Sequence, residues 1–211
     1  MFQSLFGPSF IFRLIAIVVS LTIHEFAHAW TADILGDKTP KFAGRVTLNP
    51  LAHLDPLGLL MVLFAPIGWA KPTPVNAGNF RHPRASMVGV ALAGPVSNLL
   101  LAIVCIFVMR MAAPQLSSGF MGELLSWILI VNIYLFVFNL IPLPPLDGSR
   151  VVDNLLPYRW ERYYARLEIY GPFILLILVI IPPVRNGFLF PLLNGTVSAV
   201  LSLFGLHSLF F

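Results

Sequence analysis

Cysteine is almost missing from this sequence: Cys105 is the only one in 211 residues. An intramolecular disulfide is therefore excluded, and so is a metal site built on thiolates. Charge is nearly as scarce. Asp, Glu, Lys and Arg make up 10% of the chain, against about 25% in an average soluble domain, while hydrophobic residues make up 58%. Mean hydropathy is +0.86. So few charges cannot clothe a water-facing surface, and most of the exterior must face lipid. The sequence also lacks an internal repeat, a low-complexity tract and any polar stretch long enough for a separate soluble domain. Residues 1–211 read as one membrane domain.

A membrane helix needs about 20 apolar residues. Five runs qualify: Phe10–Leu35, Ser86–Met111, Met121–Leu143, Leu167–Ile181 with its flanks, and Phe188–Leu206. A shorter run, Leu57–Ala70, lies between Asp55-Pro56 and Lys71-Pro72 and suits a re-entrant hairpin better than a crossing. The expected fold is thus an all-α polytopic membrane protein. It has five full spans, one re-entrant hydrophobic hairpin and a possible short β element, since Gly44–Leu48 alternates weakly. Pro72, Pro74 and Pro83 make the loop after the hairpin extended.

The first run carries the densest chemistry, His24-Glu25-Phe26-Ala27-His28. Cleavage of this run as a signal peptide would discard it, so the run is expected to stay. Residues i and i+4 share a helix face, so both imidazoles can reach one ion. Zinc accepts imidazole nitrogen and keeps an open position for water in catalytic sites. The adjacent Glu25 is suited to take that water's proton. Ionisable residues inside a membrane helix mark a functional site, and three within five residues call for a cation.

Two histidines need a third ligand. The candidates are Asp147, at the end of Asn139-Leu140-Ile141-Pro142-Leu143-Pro144-Pro145-Leu146-Asp147-Gly148, with His53, Asp55 and His82 behind it. The prolines end a span and leave non-helical backbone, which is tolerated at membrane depth only where it lines a cavity or is buried. Asp147 is preferred, and topology tests it. If Leu57–Ala70 does not cross, the first span and Met121–Leu143 run in the same direction, and His24, His28 and Asp147 meet near one face. The same arrangement gathers Lys38, Lys41, Arg45, Lys71, Arg81, Arg84, Arg150, Arg159, Arg162 and Arg166 on one side. Only Arg13, Arg110 and Arg185 fall on the other. The N-terminus is then outside and the C-terminus cytoplasmic. This bias also accounts for the net charge of +4 without nucleic acid.

Three elements in order, His24–His28, Ala93-Gly94-Pro95-Val96-Ser97-Asn98 and Asn139–Gly148, resemble the site-2 protease family of intramembrane zinc metalloproteases. The match covers a three-helix catalytic core, residues 10–148, with two accessory helices in 149–211. The resemblance implies one zinc per chain on His24, His28 and Asp147, Glu25 as general base, and Asn139 as a holder of the unwound substrate or of the oxyanion. It implies a substrate that is itself a transmembrane protein, cut in or near its span. The chain resembles a minimal member without PDZ or CBS domain, with Gly44–Pro50 and Gly68–Pro72 loops of the matching type. Its small size and lack of organellar targeting suggest a prokaryotic plasma membrane.

Asn98 must find a partner in lipid and is expected to brace the first helix or line the site. Asn132 suits a helix–helix hydrogen bond. His53 is a candidate for substrate binding, weighed against a plain loop histidine. Two other classes compete. A cation transporter would show paired broken helices and inverted repeats, which are absent from the sequence. A silent zinc-binding scaffold would have no use for Glu25.

Overall fold

The computed structural model describes residues 9–58, 70–111 and 119–205, and the side chains of all these except 158–163. Its elements are α1 (Phe10–Leu35), α2 (Thr39–Phe42), α3 (Pro83–Met111), α4 (Phe120–Asn139), α5 (Asp147–Leu155), α6 (Tyr158–Ile180) and α7 (Pro182–Leu203), the last carrying a π-helical stretch at Arg185–Leu189. Helices α1, α3, α4 and α7 are long and apolar enough to cross a membrane. The protein is a multi-pass helical membrane protein. The run Leu167–Ile181 lies in α6, whose first half is charged and whose interior holds Pro172.

The polarity is inverted relative to a soluble fold. Large apolar side chains such as Leu100, Val104 and Phe107 of α3 and Phe173 of α6 point outward, while Ser20, His24, Glu25, Asn98 and Asn132 are buried. Helices α1, α3 and α4 pack against one another. Successive pairings show α3 antiparallel to α1: His28 meets Val90 and His24 meets Asn98, while Asn98 also bonds Ser20 of α1 and Asn132 of α4. An apolar cluster below them joins Ala102, Cys105 and Ile106 of α3 to Leu129 and Ile133 of α4 and Val197 and Leu201 of α7. The lone cysteine is therefore a core residue.

After α4 the chain cannot continue as a helix, because Pro142, Pro144 and Pro145 lack the N–H the ladder needs. It folds back tightly and starts α5 at Asp147. Gly148 is required there: a Cβ would come 2.5 Å from the Leu140 carbonyl carbon. α5 packs on α3, and Tyr164 of α6 donates to the Ser149 carbonyl at 2.8 Å.

No strand occurs among the described residues. At Gly44–Leu48, where a short β element was expected, the chain turns instead. Gly44 has φ of 68°, and the Arg45 and Thr47 amides bond to the nearby carbonyls of Pro40 and Arg45. The extended pairing lies further on, in an antiparallel bridge between Leu54 and Ala70. Most of the expected hairpin Leu57–Ala70 falls outside the described residues.

α1 ends at Gly36, whose φ of 114° is left-handed. Asp37 beside it is fully buried. Its carboxylate accepts from the Thr39 amide (3.0 Å) and hydroxyl (2.6 Å), the Asn76 amide (2.7 Å) and the Asn79 side chain (2.7 Å). Burial alone would raise its pKa, but the four hydrogen bonds outweigh it and hold the carboxyl below its ordinary value. This stabilisation is complete above the unfolded-state pKa of about 3.9 and is lost as pH falls through the lower folded value. Asp37→Asn should therefore lower the melting temperature in detergent at pH 7. The gap from wild type should close as pH drops below about 4.

Candidate metal centre and cavity

His24 and His28 lie one turn apart on α1, and Asp147 is the first residue of α5. Three of their atoms converge. His24 Nε2 and His28 Nε2 are 3.0 Å apart, and Asp147 Oδ2 is 3.1 Å from the first and 3.2 Å from the second. This is the only three-ligand group of this kind among the described residues.

The outer nitrogens decide what these atoms can do. His24 Nδ1 lies 2.6 Å from Asn98 Oδ1, and His28 Nδ1 lies 2.7 Å from the Val90 carbonyl. Both oxygens only accept, so each Nδ1 carries a proton, and in the neutral rings each Nε2 is left with a lone pair. The amide of Asn98 is oriented by its other bonds, from Nδ2 to the Ser20 carbonyl (3.2 Å) and to Asn132 Oδ1 (2.7 Å). Two lone pairs and a carboxylate oxygen thus face one another in a buried site, and Asp147 Oδ2 has no hydrogen bond. Such an array is repulsive without a cation. Tetrahedral zinc, at about 2.0–2.1 Å from each donor, holds its ligand atoms about 3.3 Å apart, close to the spacing here. The residues fit zinc.

Glu25 is buried and faces the same cavity. Its Oε2 accepts from the Thr73 amide at 3.1 Å and the Thr73 hydroxyl at 2.8 Å. The cavity, about 570 Å³, is lined by the two histidines, Asp147, Glu25, Thr73, Asn139 and Arg150 as polar groups, with an apolar wall from α4 and α6. Asn139 Nδ2 donates to the Leu135 carbonyl one turn back.

The structure therefore brings together His24, Glu25, His28, Asp147 and Asn139. Asn98 lies behind His24, fully buried and away from the cavity. It is held by Asn132, whose Nδ2 in turn donates to Ser20 Oγ. His53 is also fully buried and outside the cavity lining, donating from Nε2 to the Thr47 carbonyl at 2.8 Å.

Thr73 escaped the sequence reading, and Gly94, visible there only as part of a motif, has a specific neighbour. Thr73 is the only residue of Pro72-Thr73-Pro74 with an N–H, and that was its available signal. Gly94 lets α3 lie directly on the histidine pair, where a Cβ would stand 2.6 Å from Cε1 of both His24 and His28.

Comparison with known proteins agrees with this chemistry. The profile of Peptidase family M50 matches residues 108–181, which include Asp147. A Bacillus subtilis protein named as a zinc metalloprotease, YwhC, is 42% identical over 201 residues, covering 92% of this chain and 90% of its own. Rip2 of Mycolicibacterium smegmatis, also named as a zinc metalloprotease, is 30% identical over 188 residues, covering 87% and 71%. Zinc metalloprotease MJ0392 of Methanocaldococcus jannaschii is 25% identical over 146 residues, or 69% of this chain and 34% of its own. No solved structure matches.

Gly94→Ala should force the histidines apart and cut zinc retention at least about 10-fold, the low end of losses from disturbed ligand orientation. Asn98→Ala, which removes the partner of His24 Nδ1, should fall in the range of about 10- to 100-fold. Elemental analysis against a graded chelator reads both.

Proposed function

This chain belongs to peptidase family M50, the site-2 protease family of zinc metalloproteases, and we propose that it is an HExxH endopeptidase cutting other membrane proteins in or near their transmembrane segments. The observation that carries the reading is the convergence of His24 Nε2, His28 Nε2 and Asp147 Oδ2 beside Glu25, in a cavity walled by apolar helices. A water-using site so enclosed suits a substrate that itself comes from the bilayer.

His24, His28 and Asp147 would hold the zinc, one ion per chain, and the bound metal would supply Lewis acidity to a water and to the scissile carbonyl. Glu25 takes the proton from the attacking water and hands it to the leaving amine. Asn139, in the cavity wall, binds the unwound substrate or donates to the developing oxyanion. Asn98 acts at one remove, fixing the tautomer and ring plane of His24. His53 is a loop-bracing residue rather than a substrate contact.

The substrate helix must open, since its carbonyls are engaged in i→i−4 bonds. Extended backbone near the Leu54–Ala70 bridge offers an edge for the opened strand. That bridge also supports the topology, because it brings the chain back beside the point from which the hairpin leaves. With α6 crossing as well, the chain makes five spans, with residues 10–148 as core and 149–211 as accessory helices. The N-terminus is then outside and the C-terminus cytoplasmic, in a prokaryotic plasma membrane.

The purified zinc-loaded protein should be tested on a single-span peptide carrying a fluorophore and quencher. Wild type should hold about one zinc per chain, as a single tetrahedral site requires. His24→Ala and Asp147→Asn should lose it. Glu25→Gln should keep the metal and lose cleavage. Full cleavage by Glu25→Gln would sink the general-base assignment. Zinc retained by Asp147→Asn would move the third ligand elsewhere.

A further inference from the structure

Glu25 is held by a loop, and the loop is held by an arginine that has no other evident task. Arg45 is 5% exposed. No carboxylate lies within ion-pair distance of it among the described residues. Instead its Nη1 donates to the Lys71 carbonyl at 3.0 Å and its Nη2 to the Pro72 carbonyl at 3.4 Å. Burying a guanidinium is costly, and two consecutive carbonyls are a specific use of it. Those carbonyls immediately precede Thr73. A second tie acts on the same point, since the Lys71 amide donates to the His53 carbonyl at 2.8 Å.

Beyond this clamp, Thr73 directs two donors at one atom. Both its N–H and its hydroxyl reach Glu25 Oε2, and the hydroxyl also lies 3.3 Å from the Glu25 carbonyl. The prolines on either side supply no N–H of their own. The loop is thus shaped to grip one carboxylate oxygen and leave the other.

We propose that Arg45 and Thr73 are paired positioning residues of the protease: Arg45 fixes the loop, and Thr73 pins Glu25 by Oε2 so that Oε1 meets the attacking water. A glutamate has three rotatable bonds, and holding one oxygen removes most of that freedom before substrate arrives. The inference rests on Glu25 as general base.

The test uses the full-length, zinc-loaded chain and the fluorogenic single-span peptide, with zinc content and melting temperature measured in parallel. Thr73→Val removes the hydroxyl at nearly constant shape. It should lower kcat about 10- to 100-fold, the worth of one hydrogen bond to a charged group, with KM and zinc held and a cooperative melting transition retained. Thr73→Ser should restore most of the rate. Arg45→Lys should lower kcat in the same direction and add little in the Thr73→Val background.

Wild-type kcat in Thr73→Val, or a Thr73→Ser as slow as Thr73→Val, would overturn the proposal. A raised KM at unchanged kcat would make Thr73 a substrate contact, and loss of zinc or of the melting transition would make it merely structural; either outcome also overturns it. Independent, multiplying effects of Arg45→Lys and Thr73→Val would break the link between them. Glu25→Gln separates the two levels. If it still cleaves, the general-base reading fails; if it is inactive while Thr73→Val runs at full rate, only the positioning role fails.

Discussion

A polar group buried in a membrane helix must find its partner within the protein, because lipid offers none. In this molecule that constraint organises the three-helix core. His24 and His28 each bond one ring nitrogen to a neighbouring helix and turn the other inward. The partner of His24 is itself an amide needing partners, so the demand passes from Asn98 to Asn132 and on to Ser20. The chain of bonds closes on α1, where it began. Register between α1, α3 and α4 is thereby set by polar atoms, and the apolar faces need only be shaped to allow it.

Close approach is the second condition. Gly94 and Gly148 stand where a methyl group would strike the histidine pair or the end of α4. A third glycine, Gly171 of α6, lies against Pro144, whose carbonyl carbon a Cβ would approach to 3.1 Å. Each of these contacts bears on the converging triad, either by seating α3 on His24 and His28 or by fixing the proline segment that delivers Asp147.

The sequence reveals these features unevenly. HExxH is local, so one helical turn fixes the relation of His24, Glu25 and His28. Asp147 is far away in the chain, but the proline-rich segment and the even alternation of spans place it. Asn98 was visibly in need of a partner; which partner depends on the relative rotation of two helices, and no residue pattern encodes that. Thr73 was hidden for a related reason, since a loop has no periodicity to say which side chain faces inward. The alternation at Gly44–Leu48 suggested a strand, yet the left-handed Gly44 and the inward reach of Arg45 make that stretch a turn. Length and hydropathy identified α1, α3, α4 and α7 directly. α6 is harder to read, because its helix begins well inside a charged segment.

The division of the proposed ligands between α1 and α5 also has a meaning for biogenesis. During synthesis His24 and His28 enter the membrane first, and Asp147 follows only after two further long helices have been made. Until then the histidine pair lacks its carboxylate and the site beside Glu25 is incomplete. On the proposed mechanism, a nascent chain could not cut before Asp147 is in place. The capacity to cut arises with the completion of the fold.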